Sequence, residues 1–554
     1  MKLVIILALL WCLAAPYVTP TSTGGKGGVQ PGERVVYVGA VVEYEPFSRW
    51  GEGGGQAIIW ENARILAEVA TQAKAQGADI LVIPEYGLQG LDMHDDNPEE
   101  IFSFMQYVPD PELGDIPCVM GVDPDHAEGL KILSCAALEN KMYLVVDLPE
   151  ASPCRPDTAA NIPFRNAMDT VHNCPSNGYI YYNTQVVFDR SGAVIARYRK
   201  KNLFLEPPFT PGTESDDTAI FTTDFGVTFT LQVCLDIAYQ HPGLYNVKTH
   251  GIKDVAMSTA WVDILPFLAA PSVQNGWSRE LGVNLLVAGH HLPEKSKLGS
   301  GIFRGFSDLE HTYVYDPESG SKMIVSEVET IAFADRLDHP PQRSSDGIPP
   351  KLDAKILDVR SGSHDRSDRP RRQHLFFHDD LSNYTQVLLS HDDSGGVQHA
   401  EACHQDGLCC TLSYTPSASL NYSLLAYSGT VVGNIVSHTI YIQACTVVWC
   451  RTDDINSCGR VDYGSLDGDE FGPFTISGNF STDYVYATLF THSMTIADND
   501  QLSLAADGRF RTMQTEEPTS RLLTGALFGR WYEHDRKFPH RQEARQQQED
   551  TMTQ

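Results

Sequence analysis

The chain has 554 residues, which is more than one hydrophobic core can organise, because single cores stop growing near about 250–300 residues. Its 71 acidic and 41 basic side chains give a formal net charge of −30, which repels phosphate backbones and anionic lipid surfaces. We therefore expect two large units and no nucleic-acid partner.

The first 20 residues are typical of a secretory signal peptide. Lys2 precedes the apolar run 3–15, and polar and glycine-rich residues follow from Thr19. That run is shorter than the about 20 apolar residues that a membrane helix needs. Residues 536–554 form a polar tail without the hydrophobic end of a lipid-anchor signal. We therefore expect a secreted, extracellular protein without a membrane anchor.

In the next part of the chain, runs with the period of strands alternate with runs that have the period of helices. Helical spacing of apolar residues predicts a helix over 56–76, ended by Gly77, and a second helix over 266–281. The two arms 185–189 and 193–199 read as a β-hairpin. Buried strands are predicted over 35–42, 78–84, 142–148, 227–233, 254–259 and 283–289. This alternation predicts an α/β domain over 33–336 with a largely buried sheet.

The composition changes after that domain. Residues 337–373 are rich in Pro, Ser, Asp, Arg and His, which predicts a linker or an ordered but irregular connection. Beyond it, the runs 384–389, 439–448 and 484–490 are β-branched and aromatic. We expect a smaller, mainly β, disulfide-stapled domain over 374–535.

The cysteines predict one free thiol. Once Cys12 leaves with the signal peptide, 11 of the 12 cysteines remain, an odd number in an oxidising compartment. If each part folds separately, the six cysteines of the second part form three bridges, and four of the five in the first part form two. Cys234 is the best candidate for the unpaired thiol, and the neighbours Cys409 and Cys410 should bond to different partners.

Three Asn-X-Ser/Thr triplets lie in the second part of the chain. In an exported protein they are usable acceptors for glycans on the surface. The acceptor residues are Asn383, Asn421 and Asn479.

Three polar residues directly follow predicted strands: Glu85, Lys200 and Cys234. Ligands of α/β sheets lie outside the carboxyl ends of strands, so these side chains can meet in one site. A thiol becomes a good nucleophile when a base or a cation activates it. Any one of the three is more often structural, and a free cysteine is most often a small buried hydrophobe. Together they predict acyl transfer.

Several motifs resemble those of the carbon–nitrogen hydrolase (nitrilase) superfamily. Its Glu, Lys and Cys motifs resemble residues 84–86, 198–204 and 234–237. Residues 182–184, 187–189 and 259–261 are similar to its secreted branch, the vanin (pantetheinase) and biotinidase family. The C-terminal domain of that family resembles Gly407–Cys410, Cys445 with Cys450 and Cys458, and residues 527–533. The resemblance runs from about residue 35 to residue 535.

This resemblance implies an α-β-β-α sandwich for the first domain. It assigns Glu85 as general base, Lys200 as the group that stabilises oxyanion and thiolate, and Cys234 as nucleophile. The implied reaction is hydrolysis of a linear amide through a thioester, with no metal and no cofactor. Vanins cleave pantetheine to pantothenate and cysteamine, and biotinidase releases biotin from biocytin. Pantetheine is the leading expectation, biocytin the alternative, and a binding protein with a vestigial site a third.

Four further residues are expected around the substrate pocket. Leu235 follows the nucleophile, and Trp261 follows a strand end, as a pocket wall or a core aromatic. His290 and His291 have no third ligand at zinc spacing, and the resemblance places them in a loop at the pocket rim.

Overall fold

The computed structural model describes Gly32 and residues 34–535, apart from residues 52, 92, 94–96, 121–126, 156–168, 171–173, 308–309, 333–353, 363–372, 391–395, 417–420, 433–438, 463–469 and 499. The predicted signal peptide, the polar tail and most of the predicted linker lie outside the described residues. Within them, no helix is long and apolar enough to cross a membrane.

The first domain consists of strands and helices that alternate along the chain. Its helices are α1 Gly54–Ala75, α2 Pro98–Phe104, α3 Glu128–Asn140, α4 Tyr245–His250 and α5 Ala270–Leu281. Its strands are β1 Arg34–Glu43, β2 Ile80–Val82, β3 Tyr143–Arg155, β4 Asp169–Thr170, β5 Tyr179–Phe188, β6 Val194–Arg199, β7 Ile220–Thr222, β8 Thr228–Val233, β9 Asp254–Ser258, β10 Ile264–Leu265, β11 Asn284–Ala288, β12 Ser300–Arg304, β13 Thr312–Val314, β14 Lys322–Ile331 and β15 Lys355–Asp358. The short strand β16 Phe377–His378, at the start of the second domain, pairs with β10.

Short helical turns connect several of these elements and two in the second domain. They are the 3₁₀ turns Pro111–Leu113, Asp216–Ala219, Cys234–Ala238, Pro293–Lys295, Ile455–Ser457 and Tyr532–His534, and the π turn Gln240–Leu244.

Two mixed sheets face each other and confirm the expected α-β-β-α sandwich. The first has the order β15-β14-β1-β2-β3-β5-β6, and the second has the order β13-β12-β11-β9-β8-β7. Side chains alternate across a strand. In β1, Tyr37 and Val41 belong to the core between the sheets, whereas Ala40 and Val42 belong to the core that includes α1 and α3. The apolar strands therefore contribute side chains to two cores, one on each face of the sheet.

The predicted elements are largely confirmed, with two corrections. The second predicted helix begins at Ala270 instead of Pro266, because Ile264 and Leu265 form β10, which pairs with β16. The linker prediction is wrong for Lys355–Asp358, because this segment pairs with β14 as the edge strand of the first sheet. Its Ile356 and Leu357 are apolar, as expected of a strand, but the polar residues around them obscure this signal in the sequence.

The second domain is a sandwich of two antiparallel sheets. Their orders are β17-β20-β21-β28-β24 and β18-β19-β23-β26-β25. The strands are β17 Thr385–Leu388, β18 Gln398–Cys403, β19 Cys409–Tyr414, β20 Tyr422–Val432, β21 Thr439–Trp449, β22 Glu470–Phe471, β23 Phe474–Asn479, β24 Val485–Thr491, β25 Leu502–Asp507, β26 Phe510–Thr515, β27 Thr519–Ser520 and β28 Leu522–Arg530.

The cysteine arithmetic is confirmed. The bridges are Cys118–Cys135, Cys154–Cys174, Cys403–Cys409, Cys410–Cys445 and Cys450–Cys458. Cys409 and Cys410 have different partners, and Cys410–Cys445 joins β19 to β21 across the two sheets. Among the described cysteines, Cys234 is the free one.

One continuous apolar core runs from the first sandwich into the second domain. Phe267, just before α5, stacks on Tyr384 and Phe528, with ring centroids 5.9 Å and 5.6 Å away. At the same junction the guanidinium of Arg530 donates to the carbonyl oxygen of Ala238 over 3.0 Å. Ala238 ends the turn that begins at Cys234, so the second domain contacts the segment that carries the thiol.

Candidate active site

The structure brings Glu85, Lys200 and Cys234 together. Glu85 follows β2, Lys200 follows β6 and Cys234 follows β8. β2 and β6 run in the same direction, so their carboxyl ends lie at one edge of the first sheet. The three side chains share a cavity of about 270 Å³, whose described lining residues are Glu85, Tyr86, Gly90, Leu91, Met93, Lys200, Phe204, Leu205, Glu206, Pro207, Pro208, Phe209, Cys234, Ala260 and Lys297.

Lys200 is a buried cation between two buried carboxylates. Its Nζ donates to Glu85 Oε1 over 2.7 Å and to Glu206 Oε1 over 2.5 Å. Burial alone lowers the pKa of Lys200, but Glu206, Glu85 and Cys234 outweigh it and hold the pKa well above its usual value. The ammonium is therefore charged at any physiological pH, and its position is set by both carboxylates.

Glu85 is held from several sides. The amide of Asn183 donates to its Oε1 over 2.9 Å, and the N–H of Ala260 donates to its Oε2 over 2.7 Å. Asn183 also donates to Glu206 over 2.8 Å, so one amide orients both carboxylates. A carboxylate fixed in this way faces the cavity in a defined orientation, as a general base requires.

Cys234 is a buried thiol on a constrained backbone. Its φ of 48° lies in the left-handed region, as do those of Tyr86 and Leu205, which also line the cavity. Such conformations cost about 1–3 kcal/mol each and gather at functional sites. Burial, followed by the charge of Glu85, raises the pKa of the Cys234 thiol to about 12, although Lys200 and Lys297 lower it. The resting group is therefore a protonated thiol, which needs a base to react.

Asp147 is a third buried acid near Glu85. Its Oδ1 accepts the N–H of Tyr86 over 2.9 Å, which supports the left-handed residue after Glu85. Burial, followed by the charge of Glu85, raises the pKa of Asp147 well above its usual value. The hydrogen bond from Tyr86 to Asp147 thus fixes the backbone beside Glu85.

Asp236 joins the segment of the thiol to the segment of the lysine. Its Oδ2 accepts the N–H of Val233 over 2.9 Å and the hydroxyl of Tyr198 over 2.8 Å. Its Oδ1 accepts the amide of Asn202 over 2.7 Å. This carboxylate therefore sets the distance between two strand ends that belong to different sheets.

Replacement of Asp236 by alanine should lower the free energy of unfolding by about 3 kcal/mol or more, because each buried donor left without a partner costs about 1–3 kcal/mol. Amide hydrolysis should fall as well, since Cys234 and Lys200 lose their common anchor. Chemical denaturation and product release measure the two effects. Glu139→Ala removes an exposed carboxylate from α3 and should stay within about 0.5 kcal/mol of the unchanged protein. Equal stability of the two variants would contradict this role of Asp236.

None of the four residues expected around the substrate pocket, Leu235, Trp261, His290 and His291, is among the described residues that line this cavity. Trp261 packs in the core and donates its indole N–H to the carbonyl of Leu268 over 2.8 Å. Leu235 is buried beside Cys234. Trp261 is therefore a core aromatic, one of the two roles expected for it.

Of the two histidines, His290 contacts a cavity residue, whereas His291 binds residues outside the described lining. Nε2 of His290 bonds the backbone oxygen of Glu85 over 2.6 Å, and burial lowers the pKa of His290 to about 3, so the ring is neutral. Nδ1 of His291 bonds Glu43 over 2.9 Å, and its Nε2 accepts the N–H of Gly320 over 3.1 Å. His290 therefore holds the backbone of Glu85 in place, which is a structural role.

Sequence reasoning missed two charged residues of the cavity, Glu206 and Lys297. Glu206 comes six residues after Lys200, between aromatic and proline residues, in a segment without strand or helix periodicity. Lys297 lies in the loop between β11 and β12. Because Glu206 lies so close in sequence to Lys200, it could have been predicted as a site residue. No sequence pattern marks Lys297.

Two family models match the chain. Residues 40–249 match the model described as carbon–nitrogen hydrolase, and residues 374–535 match the model described as vanin C-terminal domain. A solved amidase from Nesterenkonia sp. is similar, with a TM-score of 0.35 and 17% identity over 54% of this chain and 91% of that chain.

Curated relatives are similar over most of their length. A pantetheinase of Sus scrofa is 30% identical over 477 residues, which are 86% of this chain and 83% of that protein. A biotinidase of Bos taurus is 29% identical over 558 residues, which are 96% of this chain and 99% of that protein. The chain is an amidohydrolase of the carbon–nitrogen hydrolase superfamily. Within that superfamily it belongs to the vanin (pantetheinase) and biotinidase family.

Proposed function

We propose that this protein is a secreted thiol amidase that hydrolyses pantetheine to pantothenate and cysteamine. Cys234 acts as nucleophile, Glu85 as general base, and Lys200 as the cation that stabilises thiolate and oxyanion. The observation that carries the proposal is the shared cavity, in which the free thiol lies with the hydrogen-bonded Glu85–Lys200 pair. The 30% identity to pantetheinases supports the choice of substrate.

In the first half of the reaction, Glu85 takes the proton of the Cys234 thiol. The sulfur then attacks the amide carbon, and an electron pair of the carbonyl moves onto its oxygen. Lys200 and the backbone N–H after Cys234 stabilise that oxyanion. When the carbon–nitrogen bond breaks, Glu85 returns its proton to the leaving amine, and a thioester on Cys234 remains.

In the second half, Glu85 takes a proton from water, and the resulting hydroxide attacks the thioester carbon. Collapse of the second tetrahedral intermediate releases the carboxylic acid, and Glu85 returns its proton to the sulfur, which restores the thiol. One base thus serves both halves of the reaction. Every group that these steps use belongs to the chain, so no metal or cofactor enters them.

A substrate assay tests this proposal. The purified protein should release pantothenate from pantetheine with a higher kcat/KM than it releases biotin from biocytin. Chromatography of both products measures the two rates in parallel, and Cys234→Ala protein gives the background of each assay. Release of biotin alone would overturn the proposed substrate and would leave the thiol amidase in place.

Biotinidase-type activity is the second candidate, favoured by the similarity to bovine biotinidase over 99% of that protein. Release of biotin at a higher kcat/KM than pantothenate would support it. A binding protein with a vestigial site is the candidate of a different class. Equal hydrolysis of either amide by the purified protein and its Cys234→Ala variant would favour that reading.

Secretion is part of the proposal. The bridges described above support it, because disulfides persist in oxidising compartments. We further propose glycans on Asn383 and Asn479, which are exposed, and on Asn421, which is partly exposed. Mass spectrometry of protein from a secreting cell, with and without enzymatic removal of glycans, tests all three positions.

A further inference from the structure

Lys297 is a second lysine of the cavity, on the loop between β11 and β12. It lines the same space as Cys234, Glu85 and Lys200. Its side chain is only partly exposed, and its Nζ donates to the carbonyl oxygen of Ala260 over 2.7 Å. The N–H of Ala260 binds Glu85, so one residue anchors both the base and this ammonium.

The two lysines of the cavity differ in their partners. Lys200 forms ion pairs with Glu85 and Glu206, so its charge is balanced before any reaction starts. Among the described residues, Lys297 has a backbone carbonyl as its hydrogen-bond partner and no carboxylate within ion-pair distance. Two of the three donors of its ammonium are therefore left for another acceptor.

The charges of the site indicate where that acceptor forms. Two carboxylates, Glu85 and Glu206, form ion pairs with one cation, Lys200, which leaves one negative charge without an ion-pair partner of its own. When Glu85 takes the thiol proton, this uncompensated charge moves onto the sulfur and then onto the substrate oxygen. A buried negative charge is costly unless a cation lies near it.

We propose that Lys297 is a second cation of the catalytic centre, which stabilises the negative charge that develops on the Cys234 sulfur and on the substrate oxygen during attack. The inference rests on the proposed thiol amidase function and adds a residue to it. In the step concerned, the thiol proton goes to Glu85, the carbon–sulfur bond forms, and a carbonyl electron pair becomes the oxyanion. Lys297 gains its anionic partner only in this step, and such interactions raise kcat.

The electrostatics of the pair agree with this role. Burial lowers the pKa of Lys297, and the charge of Cys234 is the strongest opposing influence, ahead of that of Glu85. Reciprocally, Lys297 lowers the pKa of the Cys234 thiol. The ammonium and the thiolate form of Cys234 therefore each favour the charged state of the other.

The test uses the full chain and the variants Lys297→Met, Lys297→Gln and Lys297→Arg. Lys295→Met is the matched control, because Lys295 is an exposed lysine of the same loop. The primary readout is the rate at which iodoacetamide, a neutral electrophile, alkylates Cys234 at one fixed, mildly alkaline pH, followed by mass spectrometry. The second readout is kcat and KM for a neutral amide and for an amide that carries a carboxylate.

Loss of the cation in Lys297→Met should slow alkylation about tenfold or more and lower kcat for the neutral amide to a similar extent. Lys297→Arg should retain most of both rates, and Lys295→Met should match the unchanged protein. If the methionine variant does not fold, the glutamine variant carries the same expectation.

Alkylation of folded Lys297→Met or Lys297→Gln at the unchanged rate would overturn the proposal. So would a variant whose only defect is a raised KM for the carboxylate-bearing amide, because Lys297 would then bind substrate. Alkylation needs no amide hydrolysis. Its result therefore stands even if neither pantetheine nor biocytin is cleaved, an outcome that would contradict the proposed function instead.

Discussion

Replacement of Cys234 by alanine should abolish amide hydrolysis and leave the fold intact. Removal of a catalytic nucleophile lowers kcat by about 10⁴-fold or more, because no other group can form the covalent intermediate. Cys234 takes part in no disulfide, so its loss breaks no cross-link. Product release and a thermal melt measure the two expectations, and mass spectrometry should detect a covalent adduct on the unchanged protein alone.

Cys234→Ser is the informative companion variant. Serine keeps a hydroxyl at the position of the sulfur, but this hydroxyl is a far weaker nucleophile without a base tuned to it. Hydrolysis should therefore be as low as in the alanine variant. Retention of more than about one hundredth of the original kcat in the alanine variant would contradict a covalent role for Cys234.

Replacement of Lys200 by methionine should remove activity and also destabilise the protein by about 3–5 kcal/mol, because Glu85 and Glu206 remain as buried carboxylates without their ion-pair partner. To remain buried they must take up protons. The folded variant then binds more protons than the unfolded chain, so its destabilisation should shrink as the pH falls. Urea denaturation at several pH values measures this dependence.

Lys201→Met is the matched control, since Lys201 is the neighbouring, partly exposed lysine and lines no part of the cavity. Its loss should cost less than about 1 kcal/mol. The double variant Lys200→Met, Glu206→Gln should recover part of the lost stability, because one of the two stranded charges is gone. Destabilisation of the Lys200 variant that is small and independent of pH would contradict the buried ion-pair arrangement.

Much of the fold was predictable because its strands are buried on both faces. Continuous apolar runs such as 227–233 mark β8, and the regular spacing from Ile58 to Ala73 marks α1. The edge strand β15 was missed because edge strands are short and half polar. Four residues within a Pro- and Ser-rich stretch carry no visible period. The start of α5 was missed because pairing of β10 with β16 is a contact between distant segments.

The three cavity residues at strand ends were predictable, but their neighbours in the cavity were not. A side chain directly after a strand has a position set by that strand, which is why Glu85, Lys200 and Cys234 stood out. Glu206 and Lys297 enter the cavity from loops, whose course depends on the finished fold. His290 and His291 also follow a strand, yet their ring nitrogens are used by Glu85 and Glu43. A position after a strand indicates that a residue lies near the site. Hydrogen bonds formed in the folded protein decide which of these side chains remain available for binding or chemistry.

The coexistence of one free thiol with several bridges has a practical consequence for handling this protein. Reductants that protect Cys234 against oxidation also attack disulfides, and exposed bridges react before buried ones. Cys403 is exposed, whereas Cys410 and Cys445 are fully buried between the sheets of the second domain. Mild reductant should therefore reduce the Cys403–Cys409 bridge and leave the Cys410–Cys445 bridge intact. A weak, dilute thiol during purification should preserve both the free thiol of Cys234 and the fold of the second domain.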